Sequence, residues 1–244
     1  MRYRVSVIIP VRNMARFLFD AVASIPEVHE IIIVAADSDD DTVGVANEIA
    51  AGRPEVSVLA NPKKGPAIAR NIGLRGATGD VIAFNDADDI WPRGRLALQL
   101  ERLDREPPAD VVAGLVTCFD ELDRDTLAPT ASSHVETTFI HNVTSMVFRR
   151  SVFHRIGLFD ETLMYGEDLD LIMRILEAEV PFVILNTPTL YYRRHGYSMM
   201  TREDPRKKSD MVRVFAMSLA RRRKSGLVLD LRSFKSYIEE PQHF

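Results

Sequence analysis

Short, largely apolar runs alternate, along the first third of this chain, with stretches in which apolar residues recur every three or four positions. The runs are Val5–Ile9, Ile31–Val34, Val56–Leu59 and Val81–Phe84. Runs of this length, rich in β-formers and without a polar face, predict strands buried on both sides. Between them, Met14, Phe17, Leu18, Ala21, Val22 and Ile25 predict one helix, and Val43, Val45, Ala46 and Ile49 a second. Ile68, Ile72 and Leu74 predict a third, all at helical spacing. Asn13 stands where a cap of the first helix is expected. Asp37, Ser38, Asp39, Asp40 and Asp41 precede the second helix, where the dipole favours negative charge. This β–α alternation predicts an α/β fold with a mostly parallel central sheet flanked by helices. Right-handed crossovers then collect the loops after the strands, Pro10–Asn13, Ala35–Asp41 and Asn85–Trp91, on one edge.

The second half is less regular. Leu96, Leu98, Leu100 and Leu103 predict a helix ending near Pro107 and Pro108, followed by a strand at Val111–Val116. Glu121–Ser133 has no period and reads as a variable loop over the edge. Thr137–Phe148 reads as one or two strands. Leu169, Ile172, Met173 and Leu176 set a helix that starts near Glu167, and Pro181–Leu185 is another short strand. After Thr201 the character changes to a charged stretch, Arg202–Lys208, an apolar helical one, Met211–Leu219, and a basic cluster, Arg221–Lys224.

Composition narrows the picture in three ways. A chain of 244 residues with 46% hydrophobic and 27% charged residues is one large globular domain, or a domain with an extension. A net charge of −4 gives no electrostatic case for nucleic acid as partner. Cys118 is the single cysteine, so no internal disulfide forms and a reducing compartment is expected. No apolar run approaches the ~20 residues of a membrane span, and VSVIIP is too short for a signal-peptide core. These features predict a cytoplasmic protein.

The candidate chemistry centres on GDVIAFNDADDIW, Gly79–Trp91. Asp86, Asp88 and Asp89 follow a buried strand and have no basic neighbour in sequence until Arg93. Open α/β sheets bind ligands at the carboxyl ends of their strands. A Mg²⁺ or Mn²⁺ ion would relieve the repulsion there, since hard cations favour carboxylates together with substrate phosphates. The competing reading is an acidic turn in solvent. Arg70, on a helix facing the same edge, suits phosphate recognition or is a surface arginine. Lys63 and Lys64 suit phosphates or are simply solvated. Gly65, Gly73 and Gly76 form neither a dinucleotide fingerprint nor a P-loop.

Five segments in order, VSVIIPVRN, IIIVAADSDDDT, KGPAIARNIGLRGATGD, NDADDIW and GEDLDLIMR, resemble the large inverting glycosyltransferase family numbered two, over about Val5–Met200. The resemblance implies the GT-A nucleotide-diphospho-sugar transferase fold over residues 1–200. Residues 1–90 would be the nucleotide-binding half and 91–200 the acceptor half, with 201–244 a C-terminal helical extension. It implies a nucleotide-diphosphate sugar donor, a saccharide or lipid-linked acceptor, and Mg²⁺ or Mn²⁺. Carried onto this sequence, Asp86 and Asp88 would hold metal and diphosphate. Pro10 and Asn13 would lie beside the nucleotide, and Arg70 near the base or phosphates. Asp168 would be the general base, helped by Glu167, with Arg174 as its partner. In LYYRRHGYSMM, His195 is a candidate third metal ligand or an ordinary loop residue, and Arg193 and Arg194 would meet the diphosphate. Asn142, Thr144 and Ser145 would bond a sugar hydroxyl or form a satisfied polar face.

One departure stands out. The family places an aspartate directly after the second strand, where this chain has Ala35 and Ala36. Asp37 or Asp39 would supply that contact from a shifted loop, or the contact is missing. A catalytically silent nucleotide-sugar-binding protein is therefore one alternative. A DxD phosphatase of the haloacid-dehalogenase type is another, although that fold places its DxD after the first strand and three strands precede it here. The basic C-terminal helix would either dock on the domain or lie peripherally on the inner face of a membrane.

Overall fold

The computed structural model describes residues 2–201, 203–227 and 237–239; part of the 201–244 segment therefore lies outside the described residues. In chain order the elements are β1 (Val5–Val11), α1 (Ala15–Ala23), β2 (Glu30–Ala36), α2 (Thr42–Gly52), β3 (Val56–Asn61), α3 (Pro66–Gly76) and β4 (Val81–Phe84). Then come α4 (Arg95–Asp104), β5 (Val111–Phe119), β6 (Leu122–Asp123), β7 (Ala128–Pro129), β8 (Glu136–Thr138) and β9 (Val147–Arg149). The chain closes with α5 (Ser151–Ile156), α6 (Glu167–Glu177), β10 (Phe182–Arg193), α7 (Arg206–Ser225) and β11 (Ile238–Glu239).

One sheet runs in the order β11-β10-β5-β9-β4-β1-β2-β3, with β8 on β5. Neighbouring strands are parallel except at β9, antiparallel to both β4 and β5, and at β8. The carboxyl ends of β1, β2, β4, β5 and β10 thus share one edge. Pro10 is tolerated inside central β1 because the last β1–β4 pair is Ile8 with Phe84; its missing N–H falls where β4 has already ended.

The strands bury both faces. Val7, Ile9, Ile31 and Ile33 pack with Leu18, Val22, Ala46, Ile49, Leu96 and Leu103 of α1, α2 and α4. On the other face, Ile8, Ile32, Ile82 and Phe84 pack with Ala67, Leu74, Phe153, Leu171 and Ile175 of α3, α5 and α6. Arg70 and Glu167 therefore stand on helices that cover the same face of the sheet.

Several elements differ from the sequence reading. The Glu121–Ser133 stretch contains the β6–β7 hairpin. Thr137–Phe148 divides into β8, a 3₁₀ turn at Val143–Ser145 and β9. The strand expected at Pro181–Leu185 continues to Arg193, past irregularities in its pairing between Leu185 and Leu190. A bulge at Pro188 interrupts the apolar run and hides the strand from a periodicity reading. Helix α5 was not anticipated, and six residues are too few to show a period. The first helix is not capped by Asn13, whose φ of 56° places it before the helix. Its first amide, Ala15 N, instead donates to Asp40 Oδ2 at 3.1 Å, and Met14 N donates to Thr42 Oγ1 at 2.9 Å. Asp40 lies in the loop after β2, and Thr42 is the first residue of α2.

Helix α3 approaches the sheet closely because Gly73 has no side chain. A Cβ there would lie 2.3 Å from Ile8 Cγ2 in the middle of β1. Gly73→Ala should therefore destabilise the fold by about 1–3 kcal/mol, the usual range for overpacking. A lowered urea midpoint with unchanged slope is the expected result.

Candidate functional site

The three acids after β4 take three different partners. Asp86 Oδ1 accepts from Arg70 Nη2 at 3.0 Å. Asp88 Oδ2 meets His195 Nε2 at 2.8 Å. Asp89 turns inward, 1% exposed, and accepts from the Arg193 amide at 3.0 Å. The absence of a basic neighbour in the sequence is thus overturned by the fold, which brings α3 from before the acids and the end of β10 from after them. Burial, then Asp88 and Asp86, hold the Asp89 carboxyl well above the usual range. Asp89 braces the acid loop against β10, and the reciprocal amide–carbonyl bonds between Ile90 and Tyr191 seal that junction.

Arg70 is the hub. It is 3% exposed. Besides Asp86 it meets Glu167 Oε1 at 2.6 Å and Asp168 Oδ1 at 3.2 Å through Nη1. Burial alone would lower the Arg70 pKa, but Asp168, Asp86 and Glu167 reverse this and raise it. The sequence reading put Arg70 near the base or phosphates; the structure closes it among three carboxylates. Asp168 responds in the opposite sense. Burial pushes its carboxyl up to about 7, with Arg70 opposing and Glu167 and Asp86 adding to the rise. Asp86 is likewise raised, by burial first.

Helix α6 presents its acids for a local reason. Gly166 takes a left-handed φ of 76°, and the helix begins at the next residue. Glu167, Asp168 and Asp170 occupy the first turn, where the unpaired N–H groups favour anions. Asp168 Oδ2 also accepts from the Val143 amide at 3.3 Å. That turn is anchored from beneath: Arg95 Nη1 donates to Thr144 O at 2.7 Å, and Gln99 Nε2 donates to Ser145 O at 2.9 Å. Arg95 lies over the Trp91 ring at 4.1 Å, and burial pushes its pKa down to about 9. Sequence reasoning missed Arg95 and Gln99; their i, i+4 spacing on the inward face of α4 was the available signal.

Other expected residues fall as follows. Arg174 does not meet Glu167 or Asp168; it pairs with Asp170 at 2.8 Å, one turn on. Asn142 accepts from the Thr144 amide at 2.9 Å, and Thr144 and Ser145 are fully buried, so this stretch is a satisfied polar turn. Arg194 lies on Glu136 at 2.8 Å and is 41% exposed. Arg193 is the arginine at the acid loop, donating from Nε to Asp88 O at 2.9 Å and pairing with Asp20. His195 has both nitrogens engaged, since Nδ1 accepts from the Tyr197 amide at 3.1 Å. With Nδ1 accepting, Nε2 is the nitrogen that donates to Asp88. Asn13 joins the next loop through two bonds, accepting from Asp39 N at 2.8 Å and donating to Asp39 Oδ2 at 2.9 Å. Asp37 is exposed, its carbonyl accepting from Arg12. Ala35 and Ala36 are buried, and Pro10 is half-buried at the same edge. Lys63 and Lys64 are exposed.

Among the described residues, no group of three or more His, Cys, Asp or Glu side chains is arranged to hold a metal ion. Asp86 and Asp88 each commit one oxygen to a neighbour, and their side chains stay 31% and 17% exposed. Two partly open carboxylates suit a hard cation that completes its coordination with phosphate oxygens and water.

The fold is shared with solved GT-A glycosyltransferases. Over 89% of this chain and 66% of theirs, the coordinates match Staphylococcus aureus TarS 1-349 in complex with UDP-GlcNAc, with a TM-score of 0.68 at 19% identity. They match the mannosyltransferase PcManGT of Pyrobaculum calidifontis, in complex with GDP-Man and Mn²⁺, with a TM-score of 0.65 at 21% identity over 90% of this chain and 65% of that one. At that identity the likeness shows the fold, GT-A. The family follows from the sequence: residues 6–160 match the model of glycosyl transferase family 2, and the chain belongs to that family. Among its relatives, the pre-mycofactocin glycosyltransferase of Mycobacterium tuberculosis is 32% identical over 193 residues, 71% of this chain. The succinoglycan biosynthesis protein ExoU of Rhizobium meliloti is 29% identical over 206 residues, 75% of this chain. The alignments span 39% and 60% of the length of those two relatives.

Arg70 compensates three buried or half-buried acids, so Arg70→Ala should cost about 3–5 kcal/mol, as when one partner of a buried ion pair is removed. The loss should be smaller at about pH 5 than at about pH 8, because the stranded acids can take up protons. Urea unfolding at the two pH values checks both the size and the direction.

Proposed function

We propose that this chain is an inverting, metal-dependent glycosyltransferase. It moves a sugar from a nucleotide-diphosphate sugar to the hydroxyl of a saccharide or lipid-linked acceptor, in polysaccharide or glycoconjugate synthesis. The observation that carries this reading is the Arg70 junction, which holds Asp86 of the donor-side loop and the Glu167–Asp168 pair within one ion cluster. Family membership supports it, as do the nucleotide-sugar complexes of the two GT-A neighbours.

Asp168 is the general base. A carboxyl pushed up to about 7 is near neutrality, where a base is both available and strong enough to take a proton. The acceptor oxygen bonds to the anomeric carbon, its proton passes to Asp168, and the bond from that carbon to the diphosphate oxygen breaks. A single displacement inverts the anomeric centre. Glu167 and Arg70 orient the base, and the Val143 amide fixes its second oxygen. Asp86 and Asp88, each with one carboxylate oxygen uncommitted, would hold the cation. Bound there, Mg²⁺ or Mn²⁺ would offset charge on the departing group. His195 orients Asp88. Pro10, Asn13, Asp37 and Asp39 line the nucleotide side, where Ala35 and Ala36 offer the base no side-chain acceptor.

Incubation with a panel of nucleotide sugars, scored by release of free nucleotide, tests the class. Release from none of them, with binding intact, would instead indicate a silent binding protein.

Asp168→Asn should lower turnover by ~10²–10⁴-fold, the range for a positioned base, with donor affinity little changed. Turnover of the parent should rise with pH through about 7, as Asp168 loses its proton, and the variant should lose that limb. Stability runs the other way. The folded chain keeps on Asp168 a proton that the unfolded chain, with the ordinary value of 3.8, gives up earlier. Its contribution is therefore full below that value and lost as pH rises through about 7. Thermal melts of parent and variant across this window check the sign. Normal turnover in Asp168→Asn would move the role to Glu167.

Asp88→Asn should weaken donor binding, and excess chelator should do the same to the parent. Titration calorimetry with a nucleoside diphosphate reads both. Undiminished affinity in chelator would rule out the metal.

A further inference from the structure

Helix α7 carries eight basic residues and a single acid, a balance of +7 in a chain whose whole balance is −4. Its two faces have different fates. The inner face is spent on the domain. Val214 is fully buried with Leu163 and Met173. Asp210 accepts from the amides of Met164 and Tyr165, and Arg221 pairs with Glu177 and Asp170. Ser218 donates to Glu177. On the opposite side, Lys208, Val212, Phe215, Leu219 and Arg223 follow one another at intervals of four, three, four and four residues, which makes one stripe along the helix. All five are exposed, Val212 by 65%, Phe215 by 48% and Leu219 by 43%. Lys224 and Arg213 flank the stripe and are exposed as well.

We propose that this outer face of α7 docks on the surface of an anionic lipid bilayer. An ordinary solvated helix face has polar residues in the middle; this one has Val, Phe and Leu there and cations at both ends. Large apolar side chains bracketed by Lys and Arg suit burial at the headgroup boundary, with the cations at the level of the lipid phosphates. The excess charge on this one helix, within an otherwise acidic chain, supplies the complementarity to anionic lipid and orients the protein with α7 towards the surface. Among the described residues no helix is long and apolar enough to cross a membrane, and the proposed mode is a contact along the helix axis. Docking in this way has a consequence for the site. Asp210 and Val214 hold the segment Met164–Gly166 that leads directly into Glu167 and Asp168. The face that touches lipid is therefore one helix away from the proposed base. Delivery of a lipid-linked acceptor to that base rests on the transferase reading; the docking itself does not.

The test is co-sedimentation of the full chain, without donor, with vesicles of phosphatidylcholine alone and of an equimolar phosphatidylcholine–phosphatidylglycerol mixture. Binding to the mixed vesicles, weakened by salt, and little binding to phosphatidylcholine alone are expected. Replacing both Lys208→Gln and Arg223→Gln should lower the partition coefficient roughly thirtyfold, at the usual worth of a basic residue near an anionic surface. Phe215→Ser with Leu219→Ser should lower it roughly tenfold or more. Both pairs lie outside the site, so nucleotide release and the melting temperature should stay those of the parent. Equal partition of the parent between the two vesicle types, or undiminished binding by either double variant, would overturn the proposal. So would a dimer in sedimentation velocity that Phe215→Ser with Leu219→Ser dissolves, which would assign the stripe to a second copy of the chain. Vesicle binding by a protein that releases no nucleotide would sustain the docking while removing the transferase reading.

Discussion

A buried guanidinium is tolerable only where enough negative charge surrounds it, and Arg70 fixes the site on those terms. Its three carboxylates come from a strand-end loop and from the first turn of a helix far along the chain. Removing water from such a group costs several kcal/mol unless geometry and hydrogen bonds repay it. The distances between α3, the loop after β4 and the start of α6 are therefore held by electrostatics as well as by packing. The same arrangement sets the proton affinities. With one cation shared among Asp86, Glu167 and Asp168, burial outweighs attraction at Asp168, and its carboxyl rises into the neutral range.

The sheet supplies the frame in which this cluster can form. Parallel strands β1, β2, β4, β5 and β10 end on one edge, while β9, inserted antiparallel between β4 and β5, returns the chain to the opposite edge. From there α5 and the connection 157–166 lead back along the face that α3 already covers, with Phe159 O accepting from Asn71 Nδ2 on α3. Helix α6 therefore begins beside Arg70. The left-handed Gly166 sets the start of α6 at Glu167, and Gly73 lets α3 sit close enough to β1 for its arginine to be buried.

Much of the frame could be read from local pattern, because apolar runs and helical periodicity are local properties. The first four strands and three helices fell at their expected places for that reason, and so did the start of α6. The partners were harder to see. The acids Asp86, Asp88 and Asp89 looked unaccompanied because their cations and imidazole stand 16, 107 and 104 positions away. No spacing rule reaches so far. Arg174 was expected beside Asp168, yet on a helix residue 174 lies one turn from 170 and on a different side from 168, and Asp170 receives it. The choice between Arg193 and Arg194 turned on strand alternation: adjacent residues at the end of β10 point to opposite faces, and only Arg193 faces the acids. Arg95 and Gln99 were hidden among leucines because an amphipathic pattern records polarity, and these two are polar residues on the buried side.

The caps of α1 link parts of the chain that the topology diagram keeps separate. The amides of Met14 and Ala15 are held by Thr42, at the start of α2, and by Asp40 of the loop before it, while Asn13 and Asp39 grip each other alongside. A helix end normally frays by itself, at little free-energy cost. Here the end of α1 opens only when the neighbouring loop lets go, so the two form one cooperative unit. In hydrogen exchange, the amides of Met14 and Ala15 would therefore report on the opening of a loop more than twenty residues downstream. Any ligand that orders that loop would slow their exchange without touching α1.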